Sequence, residues 1–298
     1  MQTLKEIRRL LEERNLAPQK QFGQNFLIDG NLMQRLLELA DLKGGETVLE
    51  IGPATGSLTE ELLSRAERVA AVEIDRGLYE LLRERFAGNE KLTLLCRDSL
   101  SSKHEIAPEV LAAVSPEAHL VANLPYNIAT PLLMDCLLSS WRALKGLDPA
   151  AVKFSRLTFT VQAEVCERFS ASEGSGQYGP VSILRAILGK ITVGPKIPAS
   201  AFWPRPNVES RAARIDFDAA AAGKLVDAAL LRSILTMAFG QRRKQIGSSA
   251  RRSDAGIDPA AFARALEQAQ IDPRLRAEDV EPQKYLELTN RLAAGKTA

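Results

Sequence analysis

Short β-rich runs alternate with longer amphipathic stretches through most of the chain, and this restricts it to an α/β sheet whose strands are joined by crossover helices. The candidate strands are TVLEI (47–51), VAAVEI (69–74), LTLLC (92–96), HLVAN (119–123) and RLTFTVQ (156–162), mostly separated by helices of about 10 residues. Right-handed parallel connections are the default for such units. From Lys190 to Asp218 the pattern becomes strand and proline-rich loop (Pro195, Pro198, Pro204, Pro206), closing on AARIDF as a last strand. Beyond Ala219 only helical periodicity remains: Val226, Leu230, Ile234 and Ala238 recur every four residues, and Leu231 and Leu235 widen the stripe. The expected organisation is an α/β domain over 1–218 followed by a small helical domain over 219–298.

No apolar run approaches the roughly 20 residues of a membrane span. The N-terminal MQTLKEIRRLLEERN mixes charge and leucine at helical spacing, which fits neither a signal peptide nor an anchor. Cys96, Cys136 and Cys166 lack the spacing of a disulfide framework or zinc site, and His104 and His119 lie outside any cluster. A reducing cytoplasm, no metal and no membrane partner are therefore expected. Net charge is only +2, so any nucleic-acid affinity must come from local charge placement.

The strand TVLEI runs directly into Gly52, Pro53, Ala54, Thr55 and Gly56, and then into a helix opening at Ser57 or Leu58. A strand, a tight glycine turn and a helix form a nucleotide-binding edge in a doubly wound sheet. The spacing is G-x-x-x-G, however, not the G-x-G-x-x-G of dinucleotide binders, and Glu50 beside the loop disfavours a pyrophosphate while suiting an ammonium group. Glu73 ends the next strand 21 residues after Gly52, where a carboxylate accepts hydrogen bonds from ribose hydroxyls. Asp98 follows the third strand, at the sheet edge where an adenine amino group would lie.

The fourth strand ends in Asn123, Leu124, Pro125 and Tyr126. An arylamine is a poor nucleophile, because its lone pair is delocalised into the ring. To attack a sulfonium methyl it must be held close and drawn toward tetrahedral geometry, which the Asn123 side-chain oxygen and the Leu124 carbonyl would do by position and electrostatics. Pro125 fixes the turn without donating, and Tyr126 offers a ring for a splayed base.

These residues resemble the ribosomal RNA adenine dimethyltransferases, a family similar to the erythromycin-resistance methylases and to mitochondrial transcription factor B. The resemblance runs from FGQNFLID (22–29) through VLEIGPATGSLT, AVEID, NLPYNIATPLL, VQAEVCERF, YGPVS and FWPRPNVES to FGQRRKQI (239–246). It implies a Rossmann-like, seven-stranded class I methyltransferase sheet with a small C-terminal helical domain. It also implies S-adenosylmethionine as cofactor, held by Asn25, Leu27, Gly52, Glu73, Asp98 and Asn123, and Phe202 packed opposite Tyr126 to hold the target base. Ala54 stands where the family usually has a second glycine, Arg97 where it usually has glycine, and Ala129 where serine is common. The stretch 143–156 is longer than the family pattern suggests, and its residues suggest no role.

Arg242, Arg243, Lys244, Arg251 and Arg252 fall within Gly240–Ser253, a stretch without an acid, and form a candidate footprint for RNA phosphates. The partner implied by the resemblance is small-subunit ribosomal RNA in a 30S or pre-30S particle, bound by a monomer, with a role in ribosome biogenesis. A resistance-type methylase of large-subunit RNA and a mainly non-catalytic assembly factor are the alternatives. YGPVS and QRRK argue against the first, and the intact Glu73, Asp98 and NLPY against the second. The loop spacing and the absence of a catalytic His or Tyr/Lys arrangement disfavour a nicotinamide dehydrogenase.

Overall fold

The computed structural model describes residues 2–252 and 256–295, with the Arg252 side chain outside the description. Seven strands form the main sheet: β1 Thr47–Ile51, β2 Arg68–Glu73, β3 Leu92–Cys96, β4 Glu117–Asn123, β5 Lys153–Gln162, β6 Gly189–Ile197 and β7 Ser210–Phe217. Their order is β3-β2-β1-β4-β5-β7-β6. Pairing is parallel from β3 to β5 and antiparallel between β5 and β7.

This order follows from burial. β1, β2 and β4 are continuous apolar runs, as strands covered on both faces must be, and Val48, Leu49, Ala70, Ala71, Leu120 and Val121 are all buried. Helices Ser57–Leu63, Arg76–Arg85, Pro108–Val114 and Ala129–Lys145 supply the crossovers. After β3 the chain passes to the other side of β1 and lays down β4. The carboxyl ends of β1 and β4 thus flank the switch point, where doubly wound sheets leave a crevice. A separate two-stranded ribbon pairs Leu27 with Phe202 and Phe26 with Trp203.

The chain divides into two compact units, Met1–Cys166 with Ile191–Phe217, and Glu167–Lys190 with Asp218–Ala298. A single division after residue 218 does not describe this, because Glu167–Lys190 belongs to the second unit. Helix Pro180–Leu188 buries Ile183, Leu184, Ile187 and Leu188 and packs on helix Pro282–Ala294, a partner about a hundred residues away that local periodicity does not reveal. Phe239 lies between Tyr178 and Tyr285, with ring centroids 6.3 Å apart in each pair. The two phenols donate to the carbonyls of Val280 (2.8 Å) and Ala277 (2.9 Å). Val226, expected on the buried stripe, is 53% exposed. The Asp227 carboxylate caps the following helix by accepting from Leu230 N, so helix Ala228–Gly240 begins only after Val226.

The turn after β1 places Gly52 (φ +70°), Ala54 (φ +56°) and Gly56 (φ +84°) in the left-handed region. Glycine occupies that region freely, whereas alanine there costs about 1–2 kcal/mol through its Cβ. Allowing for the larger unfolded-state entropy of glycine, Ala54→Gly is expected to raise the free energy of unfolding by about 0.5–1 kcal/mol. Urea melts of the two proteins check this, and an equal or less stable variant contradicts it.

Candidate active site

One cavity opens at the switch point, with about 1100 Å³ of space continuous with solvent, ample for a nucleoside-sized ligand. It draws residues from the ends of four strands and from the N-terminal segment. Asn25, Leu27, Gly52, Glu73, Asp98, Asn123, Leu124, Pro125 and Tyr126 all line it.

The glycine turn forms one wall. Gly52 N–H donates to the Val72 carbonyl at 2.9 Å, and the turn closes with Gly56 N–H on the Pro53 carbonyl at 2.8 Å. A Cβ on Gly52 would point at Pro125, 3.5 Å from its Cγ, so a side chain here would fill the gap between the two turns. Glu73 is almost fully buried. Its carboxylate accepts from Ala54 N–H at 3.1 Å and Asp75 N–H at 2.9 Å, fixing its two oxygens toward the glycine turn and the next helix. Burial pushes its pKa up to about 7, against the lowering effect of those backbone donors. Glu50 is buried more completely, and its pKa is pushed up to about 8 by desolvation, with the Thr59 hydroxyl opposing and the neighbouring Glu73 charge adding to the rise. The Glu50 Oε2 atom has no hydrogen-bond partner among the described residues. Such an acceptor, beside a cavity it lines, is chemically suited to a cationic ligand group. Asp98 is exposed at the lip, and its Oδ1 accepts from Leu100 N–H at 2.9 Å.

Asn123 occupies the end of β4, where register sets it opposite Thr160 of β5. Its Nδ2 donates to the Asn25 carbonyl at 2.9 Å, and its Oδ1 accepts from the Thr160 hydroxyl. Both ends of the carboxamide are therefore held, while the second lone pair of Oδ1 remains available as an acceptor. Asn25 in turn donates from its side chain to the Gly23 carbonyl at 3.1 Å. Leu124 follows with its N–H on the Thr160 carbonyl at 3.3 Å, and the Tyr126 hydroxyl pairs with Ser210 Oγ at 2.7 Å. Thr160 and Ser210 are fully buried partners that the sequence reading does not single out. The available signal is register: each is a hydroxyl residue at the end of its strand nearest the NLPY turn.

Phe202 is not among the residues lining the cavity. It is 2% exposed and belongs to a hydrophobic cluster with Leu27, Leu32, Met33 and Ile197. The expected pairing of Phe202 with Tyr126 across the site does not occur, because the ribbon register sets Phe202 against Leu27. Phe22 and Phe26 supply aromatic wall instead, and Trp203 stacks on Phe26 at 5.9 Å.

The five basic residues of the second unit fare differently from one another. Arg242 Nε meets Glu278 Oε2 at 2.7 Å, and its Nη2 donates to the carbonyls of Gly176 (2.8 Å) and Tyr178 (3.0 Å), so it clasps this unit together. Arg243, Lys244 and Arg251 are exposed, and the Arg252 side chain lies outside the described residues. No group of three or more His, Cys, Asp or Glu side chains suited to a metal occurs among the described residues, and no helix among them is long and apolar enough to cross a membrane.

The comparisons agree with this arrangement. The chain is similar to proteins named ribosomal RNA small subunit methyltransferase A from Magnetococcus marinus (37% identical over 284 residues, 95% of each chain) and Moorella thermoacetica (34% over 287 residues, 95% of each). It is also similar to one from Phenylobacterium zucineum, at 36% over 299 residues, covering 100% of this chain and 96% of the relative. In fold it resembles the crystal structure of a dimethyladenosine transferase from Plasmodium falciparum, with a TM-score of 0.69 at 20% identity over 87% of this chain and 94% of the other. It also resembles the 23S rRNA methyltransferase ErmE, with a TM-score of 0.62 at 25% identity over 90% of this chain and 100% of the other. The profile of ribosomal RNA adenine dimethylase matches residues 15–294. With that match spanning the glycine turn, the buried carboxylates and the NLPY turn, the chain belongs to the ribosomal RNA adenine dimethylase family.

Proposed function

We propose that this protein transfers methyl groups from S-adenosylmethionine to the exocyclic amines of two adjacent adenines in small-subunit ribosomal RNA, giving dimethyladenosine. The observation that carries the reading is the Asn123 carboxamide, tethered at both ends at the switch point and followed by the Leu124 carbonyl, Pro125 and Tyr126. Small-subunit RNA is favoured over large-subunit RNA because the relatives at 34–37% identity are named for the small subunit.

The residues fit the cofactor. Glu50, with an unpartnered buried oxygen, suits its ammonium group, and the bare Gly52 leaves room beside Pro125. Glu73 would take the ribose hydroxyls and Asp98 the adenine amine, with Asn25, Leu27 and Asn123 completing the walls. When bound, S-adenosylmethionine supplies an electrophilic sulfonium methyl. The protein's own task is to present the amine. Asn123 Oδ1 and the Leu124 carbonyl accept its two N–H bonds, turning the lone pair toward the methyl, and no strong base is required. The Thr160 hydroxyl and the Asn25 carbonyl keep Asn123 from rotating away. Tyr126, anchored by Ser210, offers the stacking face, and Phe202 has no part in it. After one transfer a monomethylated amine still carries one N–H for these acceptors, so a second round with fresh cofactor follows.

For the RNA partner, the exposed Arg243, Lys244 and Arg251 of the second unit are the phosphate contacts in this reading, while Arg242 is occupied internally. The substrate is a folded 30S or pre-30S particle bound by a monomer in the cytoplasm.

Glu50 and Glu73 hold protons more tightly in the folded chain, at about 8 and about 7, than at the ordinary value of 4.5 in the unfolded one. Their protonation therefore favours the fold at low pH, and that contribution fades as pH rises through 7 and 8. Without cofactor, stability should fall from pH 5 to pH 8, and Glu50→Gln should flatten the fall by up to about 1.4 kcal/mol per pH unit. Chemical denaturation at each pH measures the slope, and an unchanged slope in the variant contradicts the assignment.

Asn123→Ala should retain the fold and bind RNA, yet transfer methyl about 100- to 1000-fold more slowly, the usual effect of losing one preorganised electrostatic contact. Single-turnover rates on undermethylated small subunits at saturating cofactor test this. Transfer at the unmutated rate would remove Asn123 from the chemistry.

A further inference from the structure

Gln2 is 6% exposed, an unusual degree of burial for a glutamine so near the chain start. Its burial is matched by three hydrogen bonds to the glycine turn. The backbone N–H donates to Ser57 Oγ at 2.9 Å, Nε2 donates to the Thr55 carbonyl at 3.1 Å, and Oε1 accepts from the Thr55 hydroxyl at 2.6 Å. Thr55 and Ser57 are themselves buried, line the cavity and bracket Gly56.

The turn needs such support. Three of its five residues are left-handed, and its only internal backbone bond is that from Gly56 to Pro53. On its outer side Arg85 Nη1 also donates to the Thr55 carbonyl, at 2.6 Å, and pairs with Glu60 at 2.8 Å. Thr55 adjoins Ala54, whose N–H is one of the two donors holding the Glu73 carboxylate. A continuous set of contacts therefore runs from Gln2 through Thr55 and Ala54 to Glu73. The segment that carries Gln2 is fixed independently: helix Leu4–Glu12 opens with a Thr3–Glu6 capping box, buries Ile7 and Leu11, and lends Ile7 to the cavity wall. Arg14 beyond it meets Glu84 at 2.7 Å. All of this precedes the part of the chain that the family profile matches, residues 15–294.

We infer that Gln2 is a positioning residue for the cofactor: it sets the glycine turn, and through it Glu73, in the geometry that binds S-adenosylmethionine. The inference rests on the cofactor reading above. Because Arg85 retains a hold on Thr55, loss of Gln2 loosens the turn and does not abolish it.

Calorimetric titration of S-adenosylmethionine into the full-length chain tests this with Gln2→Ala, Thr55→Val, the double variant and Thr55→Ser. Gln2→Ala and Thr55→Val should each weaken binding about tenfold, and the double variant no more than either alone, since both break the same contact. Thr55→Ser, which keeps the hydroxyl, should bind nearly as the parent does. In turnover, the rise in KM for cofactor should exceed any fall in kcat, with KM for the small subunit unmoved, a split that general destabilisation would not produce. If Gln2→Ala fails to fold, the Thr55→Val and Thr55→Ser pair decides the matter. Unaltered affinity in folded Gln2→Ala, or additive losses in the double variant, overturns this inference alone. A parent chain that binds no S-adenosylmethionine overturns the cofactor reading and this inference with it.

Discussion

The site depends on holding one carboxamide still at the carboxyl edge of the sheet. Asn123 ends β4 beside the strand that carries the glycine turn, so topology brings it near any ligand in the crevice. Orientation needs more than topology. The Thr160 hydroxyl from the adjacent strand and the Asn25 carbonyl from the N-terminal segment engage opposite ends of the amide, and rotation about its last torsion would break both contacts. A group held in this way is already arranged for the reaction, and an aromatic amine needs position more than it needs a base.

The second constraint is electrostatic. Two carboxylates, Glu50 and Glu73, are buried within one small region and repel each other when ionised. An arrangement of this kind costs the empty protein stability, and natural chains keep such costs where a ligand offsets them. An ammonium group beside Glu50 and hydroxyl donors at Glu73 would return both groups to their charged forms. Affinity for the cofactor and the stability of the empty fold are thus opposite readings of the same burial.

Much of the architecture was legible from periodicity. TVLEI and LTLLC coincide with β1 and β3, and β2, β4, β5 and β7 differ from the expected strands by a few residues at their ends. The cavity residues were legible because they lie immediately after strand ends, where local sequence and position in the sheet coincide. What was not legible depends on distant pairing. Thr160 and Ser210 are ordinary strand residues until register sets them beside Asn123 and Tyr126. Phe202 looked like a stacking ring by resemblance, but its ribbon turns it into the core. Arg242 reads as one cation in a basic run, yet Glu278 and two carbonyls claim it. Gln2 gave no local sign of its three contacts with a turn more than fifty residues away.

The most direct measurement of the central claim is the chemical identity of the product. Undermethylated small ribosomal subunits are incubated with the protein and methyl-labelled S-adenosylmethionine, and the RNA is digested to nucleosides and separated. The account predicts label in N6,N6-dimethyladenosine from two adjacent positions of the small-subunit RNA, with monomethyladenosine only as a transient. Label confined to large-subunit RNA, to another base, or to monomethyladenosine at completion would contradict it.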